Sequence, residues 1–262
     1  MIERNHHLSS RSSYHALVGD QPDQQAASAG RIRSEQASTQ PMPVLRPKLP
    51  SAVQLAPYLR AIDERRSYSN YGPLSTRLET ELSRHIGCPE NTVLTVASGT
   101  AGLTSALLAL DLPEDSLCLM PSWTFAATPH AALAAGMRPW FHDVDRRTWA
   151  LNAQAVSETL AHGSCPAKAV IVVSPFGAPL DITSWQNFQR ETGVVVIVDA
   201  AAGFDTVRSS SVISVVSLHA TKILAAGEGG FAVAPASQMR DRMMACCNFG
   251  FAGSRSAQRR AI

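Results

Sequence analysis

Short apolar runs separated by helix-length segments constrain this chain more than any other feature. The runs fall at residues 93–96, 117–120, 138–142, 169–173 and 194–198. Between them lie stretches of helical character at 99–110, 125–135, 152–161 and 182–191. Apolar runs with little alternation predict strands covered on both faces, and strands that alternate with helices predict parallel pairing. The expected fold is therefore α/β: a three-layer, doubly wound, mostly parallel sheet. Two more strands are expected at 212–217 and 230–234, and a last helix at 236–247. Ahead of the sheet, residues 53–65 put Leu55, Tyr58, Leu59 and Ile62 on one helical face. A turn at 67–73 leads to a second helix at 74–86, closed by Gly87.

Residues 1–42 are polar, rich in Ser, Gln, Arg and His, and without period, which predicts a disordered extension. Order is expected from about Arg46. The formal net charge is only +2, so nothing points to nucleic acid. No apolar run reaches the roughly 20 residues of a membrane span, and the first residues lack a secretory apolar core. The five cysteines, Cys88, Cys118, Cys165, Cys246 and Cys247, have no metal-ligand spacing and read as reduced thiols in a cytoplasm. The His6–His7 pair reads as part of a solvated tail, so no metal site is expected.

Four features follow predicted strands, where doubly wound sheets place their ligands. In A-S-G-T-A-G-L (97–103), Ser98, Gly99 and Thr100 open a helix whose free N–H groups suit a phosphate, or Ser98 is simply its N-cap. In P-S-W-T-F-A-A-T (121–128), Trp123 stands at a strand end, as a core residue or as a face for a flat ring. Asp199 ends the apolar run V-V-V-I-V-D, and can pair with a buried cation, cap a helix or bind Mg²⁺. In S-L-H-A-T-K-I-L-A-A-G-E-G-G (217–230), Lys222 stands among small residues, either a surface lysine or an amine able to form an imine with an aldehyde.

The lysine segment, with S-G-T-A-G-L, P-S-W-T-F-A-A-T, G-P-L-S-T-R-L-E near Gly72, S-P-F-G-A-P-L-D and the closing N-F-G-F, resembles the DegT/DnrJ/EryC1/StrS aminotransferases. These are enzymes of the fold-type I pyridoxal-phosphate class that aminate nucleotide-linked keto sugars. The resemblance runs from about Arg46 to about Gly253. It implies pyridoxal 5'-phosphate held covalently on Lys222, with Asp199 at the pyridine nitrogen and Trp123 on the ring face. It assigns the phosphate to Ser98, Gly99, Thr100 and Ser217. It also implies an amino-acid donor, glutamate in the family pattern, a nucleotide-linked keto sugar as acceptor, and a homodimer with shared sites. The setting would be surface polysaccharide or amino-sugar biosynthesis.

Two departures accompany the resemblance. The family carries Gln or His three residues after the aspartate, and this chain has Ala202. Family members also continue for on the order of a hundred residues beyond this point, about one further domain. The expected layout is a 1–42 extension, a 43–253 cofactor-binding domain, and at 254–262 the start of a smaller C-terminal domain. The alternative is a non-catalytic remnant that binds cofactor or partners a full-length paralogue. A sugar dehydratase of the same family, which typically has histidine at the lysine position, is disfavoured by Lys222.

Overall fold

The computed structural model describes residues 42–69, 71–162, 167–252 and 256–262. The expected 1–42 extension, His6–His7 and Cys165 lie outside the described residues, apart from Met42. Helix α1 (Ala52–Arg65) starts on Ser51, whose hydroxyl caps the Gln54 N–H while the Gln54 side chain returns to the Ser51 N–H. Helix α2 (Pro73–Ile86) has proline in its first turn, where no hydrogen bond is lost, and ends on left-handed Gly87.

The predicted alternation then appears nearly as read. Strand β1 (Val93–Val96) leads to α3 (Gly99–Ala109), β2 (Leu117–Pro121) to α4 (Ala127–Ala134), and β3 (Arg138–His142) to α5 (Ala153–His162). Strand β4 (Ala169–Val173) is followed by α6 (Ile182–Thr192) and β5 (Val195–Asp199). Strands β6 (Ile213–Ser217) and β7 (Gly230–Val233) precede α7 (Ser237–Cys247). The seven strands form one sheet in the order β1-β7-β6-β5-β4-β2-β3. Neighbours pair in parallel except β7, which runs antiparallel to both β1 and β6.

Strand residues alternate between two apolar clusters, one on each face. Val170, Val172, Val196, Val198, Val216 and Phe231 point to the side of Leu82, Ile86, Val156, Trp185 and Phe188. Ile171, Ile197, Val215 and Ala232 point to the side of Leu103, Leu107, Ala131, Met243 and Cys246. Helices α2, α5 and α6 thus cover one face, and α3, α4 and α7 the other. Each fully buried Val, Leu or Ile contributes about 1.5–3 kcal/mol, so this double cover dominates the stability. Strand β3 departs from the expectation of two-sided burial. It is one of the two edge strands, and Arg138 and Phe141 on it are exposed.

Because all strands but β7 run the same way, the ends of β1, β2, β4, β5 and β6 and the start of β7 gather on one edge of the sheet. Two of the four sequence features there lead into helices, as expected. The other two do not: Asp199 and Lys222 lead into loops, 200–212 and 218–229, with no helix in either.

Candidate active site

Asp199 closes β5, hydrogen-bonded in register between Val173 of β4 and Val215 of β6. It is 6% exposed. Burial pushes its carboxyl above the ordinary range, opposed by hydrogen bonds from Thr128 and the Ala201 N–H and by the positive charge of Lys222. The Thr128 Oγ1–Asp199 Oδ2 distance is 2.7 Å, and the Ala201 N–H donates to Oδ1 at 3.1 Å. Thr124 Oγ1 lies 2.6 Å from Thr128 Oγ1. With Asp199 ionised, Thr128 spends its one hydrogen on the carboxylate and Thr124 donates to Thr128. No helix follows Asp199, so it is not a helix cap, and both of its oxygens are engaged by protein donors.

Lys222 sits, half-buried, on the loop between β6 and β7. Hydrogen bonds from the Leu218 N–H to Gly229 O, the Ala220 N–H to Gly227 O and the Lys222 N–H to His219 O hold that loop closed. His219 Nε2 lies 3.6 Å from Glu228 Oε1 across it. A cavity of about 350 Å³ is lined by Lys222, Asp199, Trp123, Phe176, Ser174 and Ala202, with their loop neighbours. Trp123 is 51% exposed and forms a wall, so it is not the core tryptophan its type allowed. Ala202 lines this cavity, so the departure noted in the sequence falls inside the site itself.

The phosphate candidates meet one another. Ser98 caps α3, accepting the Ala101 N–H on its Oγ at 3.1 Å. The N–H groups of Gly99 and Thr100, in the first turn, have no intrahelical acceptor. A methyl group on Gly99 would stand 3.1 Å from Ser217 Cβ, and one on Gly230 only 2.8 Å from the Gly99 nitrogen. Glycine is thus required where β7 passes the helix start, and Ser217 is pressed against it. The Oγ of Ser98, and that of Ser217, which accepts the His219 N–H at 3.3 Å, each keep a hydrogen free to donate.

The donor set fits pyridoxal phosphate: a buried carboxylate lacking a full counter-charge, an indole wall, a lysine on the same cavity, and an N–H and hydroxyl cradle at the same sheet edge. Sequence reasoning missed Thr128, Ser174 and Phe176. Thr128 lies within a segment already singled out, yet only the packing of α4 under β5 aims its hydroxyl at Asp199.

Comparison with known proteins identifies the family. The model of the DegT/DnrJ/EryC1/StrS aminotransferase family matches residues 52–261. The dTDP-4-amino-4,6-dideoxy-D-glucose transaminase of Shigella dysenteriae is 28% identical over 80% of this chain and 57% of its own. A solved structure from Bacillus cereus ATCC 10987, a proposed PLP-dependent aminotransferase, is 29% identical with a TM-score of 0.76, covering 83% of this chain and 61% of that one. DesI, solved with its TDP-sugar product, is 30% identical with a TM-score of 0.73, covering 85% and 57%. The chain spans about half the length of the curated relatives it matches. With a family model covering most of its described residues, the chain belongs to the DegT/DnrJ/EryC1/StrS aminotransferase family.

Proposed function

We propose that this chain acts as a pyridoxal-phosphate-dependent aminotransferase, moving an amino group from an amino acid, glutamate by family pattern, to a nucleotide-linked keto sugar. One observation carries the reading: Asp199 and Lys222 line the same cavity, with Trp123 as its wall. When bound, the cofactor supplies an electron sink for the bond broken at the amino-bearing carbon. Lys222 anchors it, and its amine moves the proton between the substrate carbon and the cofactor C4′ position. Asp199 sits as the charge partner of the ring nitrogen, and Trp123 covers a ring face. The N–H groups of Gly99 and Thr100, with the hydroxyls of Ser98 and Ser217, receive the phosphate.

The acceptor class is supported by the Shigella transaminase and by DesI, whose product is a TDP-sugar. We place the reaction in amino-sugar or surface polysaccharide synthesis in the cytoplasm. No helix among the described residues is long and apolar enough to cross a membrane. We assign cofactor binding to residues 43–253. A homodimer is supported by α1, whose apolar Val53, Leu55, Tyr58 and Leu59 are exposed and which buries none of its residues.

The test is chemical. Pyridoxal phosphate added to the purified chain should give an absorbance band that borohydride removes, and peptide mapping should place the reduced adduct on Lys222. A label on Lys168, or no label, would sink the assignment.

A further inference from the structure

Every hydrogen bond that residues 221–225 make with a described residue ends on His219. The Thr221 N–H donates to His219 Nδ1 at 3.3 Å, Thr221 Oγ1 lies 2.9 Å from the same nitrogen, and the Lys222 N–H donates to His219 O at 2.9 Å. We infer that His219 is a positioning residue, whose ring is held in one tautomer and fixes the turn from which the Lys222 side chain extends. The inference rests on the reading of Lys222 as the cofactor-bearing amine and names the residue that sets where that amine begins.

Three observations carry it. First, the loop has a firm stem and a tip with little else to hold it. The stem is closed by the N–H of Leu218 on Gly229 O at 2.9 Å, and by those of Ala226 on Leu218 O and Ala220 on Gly227 O, both at 2.8 Å. Of the two large apolar residues in the tip, Ile223 is 67% exposed and Leu224 is only partly buried against the core. Secondly, the contacts select the tautomer. A backbone N–H can only donate, so Nδ1 must present its lone pair to Thr221, and the ring hydrogen belongs on Nε2. Nε2 faces Glu228 Oε1 at 3.6 Å, too long for a hydrogen bond. With side chains 45% and 73% exposed, that pair contributes little energy and acts on the orientation of the ring. Thirdly, His219 ties the turn to the phosphate cradle, since its own N–H donates to Ser217 Oγ at 3.3 Å. One residue thus joins the Ser217 hydroxyl, through its N–H, to the Lys222 N–H, through its carbonyl. The amine of Lys222 stands at the end of a flexible four-carbon stem, so its reach depends on where the backbone is fixed. A misplacement of about 1 Å at a reacting group can cost roughly 10²-fold in rate.

Substitution separates the two ring nitrogens. His219→Asn keeps an acceptor near the Nδ1 position, whereas His219→Gln carries its polar end toward the Nε2 position and leaves Thr221 without one. In the 262-residue chain, in mildly alkaline buffer, nitrogen NMR of the imidazole should find the hydrogen on Nε2 and none on Nδ1. Amide hydrogen exchange of the cofactor-free chain should quicken at Thr221 and Lys222 by about tenfold in His219→Ala and His219→Gln, and stay near the parent value in His219→Asn. The amides of β5 should be unchanged throughout and serve as the internal reference. The rate at which Lys222 captures pyridoxal phosphate, read from the borohydride-reducible band, should follow the same order. A hydrogen on Nδ1 would overturn the inference. Exchange in His219→Asn as fast as in His219→Ala would do so too, as would exchange at Thr221 and Lys222 unmoved in His219→Ala. Any of these beside a normal Lys222 adduct in the parent leaves the aminotransferase reading intact, whereas absence of the parent adduct would sink that reading itself.

Discussion

Thr128 Oγ1 donates a 2.7 Å hydrogen bond to Asp199 Oδ2, in a buried contact between residues 71 positions apart. It joins α4 to the end of β5 and is the strongest polar restraint on the carboxylate. Thr128→Val keeps the shape and removes the donor. A lost bond to a charged group costs about 1.5–3 kcal/mol. Urea denaturation should show a loss of that size, and Thr128→Ser should recover most of it. A midpoint unmoved in the valine variant would mean the hydroxyl contributes nothing to holding Asp199.

The buried Asp199 carboxyl also makes a pH-dependent prediction. An aspartate ordinarily ionises near 3.8, and burial raises the value for Asp199 in the folded chain. Below 3.8 the group is protonated in both states and has no differential effect. As pH rises past that value the unfolded chain ionises first, so the fold loses stability until pH passes the raised folded pKa. Asp199→Asn removes the ionisation. The cofactor-free variant should melt higher than the parent at pH 7, by about 2–4 °C for each kcal/mol gained, with the gap shrinking toward pH 4. A lower melting temperature at pH 7 would mean that the charge of Lys222 outweighs burial.

The same variant separates stability from chemistry. Asparagine keeps the shape and one acceptor oxygen, turns the other acceptor into an NH2 donor that the Thr128 hydroxyl can accept, and removes the charge opposite the ring nitrogen. The reducible Lys222 band should still form, while the half-reaction with glutamate slows by roughly 10²–10³-fold in stopped-flow absorbance. Equal half-reaction rates would leave Asp199 a structural residue only.

Glu79 and Arg240 form the best-buried ion pair among the described residues, at 3.3 Å with side chains 9% and 17% exposed. Glu79 Oε1 also takes the Thr95 N–H at 2.8 Å and its hydroxyl at 2.9 Å, tying α2 to β1 while Arg240 brings α7 to both. Arg240→Met strands a buried carboxylate. The expected loss is about 3 kcal/mol, the low end for breaking a buried pair, because the Thr95 bonds remain. Equilibrium denaturation measures it, and a loss under 1 kcal/mol would show the pair to be screened by water.

Gly102 in α3 tests the closeness of helix to sheet. A methyl there would meet Val215 Cγ1 at 2.7 Å and Val96 Cγ2 at 3.2 Å. Alanine normally improves a helix by about 1 kcal/mol over glycine. Here Gly102→Ala should instead destabilise by about 1–3 kcal/mol through overpacking, and Val215→Ala in the same chain should restore part of it. A stabilised single variant would mean that α3 can lift off the sheet freely.

Local order was written plainly in the sequence. Strand and helix positions followed from apolar runs and their spacing, because side chains facing two covered sheet surfaces must be apolar at nearly every position. Asp199, Trp123 and Lys222 stood out because each followed such a run. What the chain alone did not disclose was which strands become neighbours. Inserting β7 antiparallel between β1 and β6 presses Gly230 against Gly99 and sets Ser217 beside it, and that choice depends on packing among residues far apart in sequence. The same holds for the contact of Thr128 with Asp199, and for Trp149, a non-glycine residue in a left-handed conformation that no local propensity encodes and only the Asp145 turn enforces. Period and composition determine what each segment becomes. Which groups share a cavity is decided by long-range packing, where a few ångströms of helix position set whether a hydroxyl reaches a carboxylate.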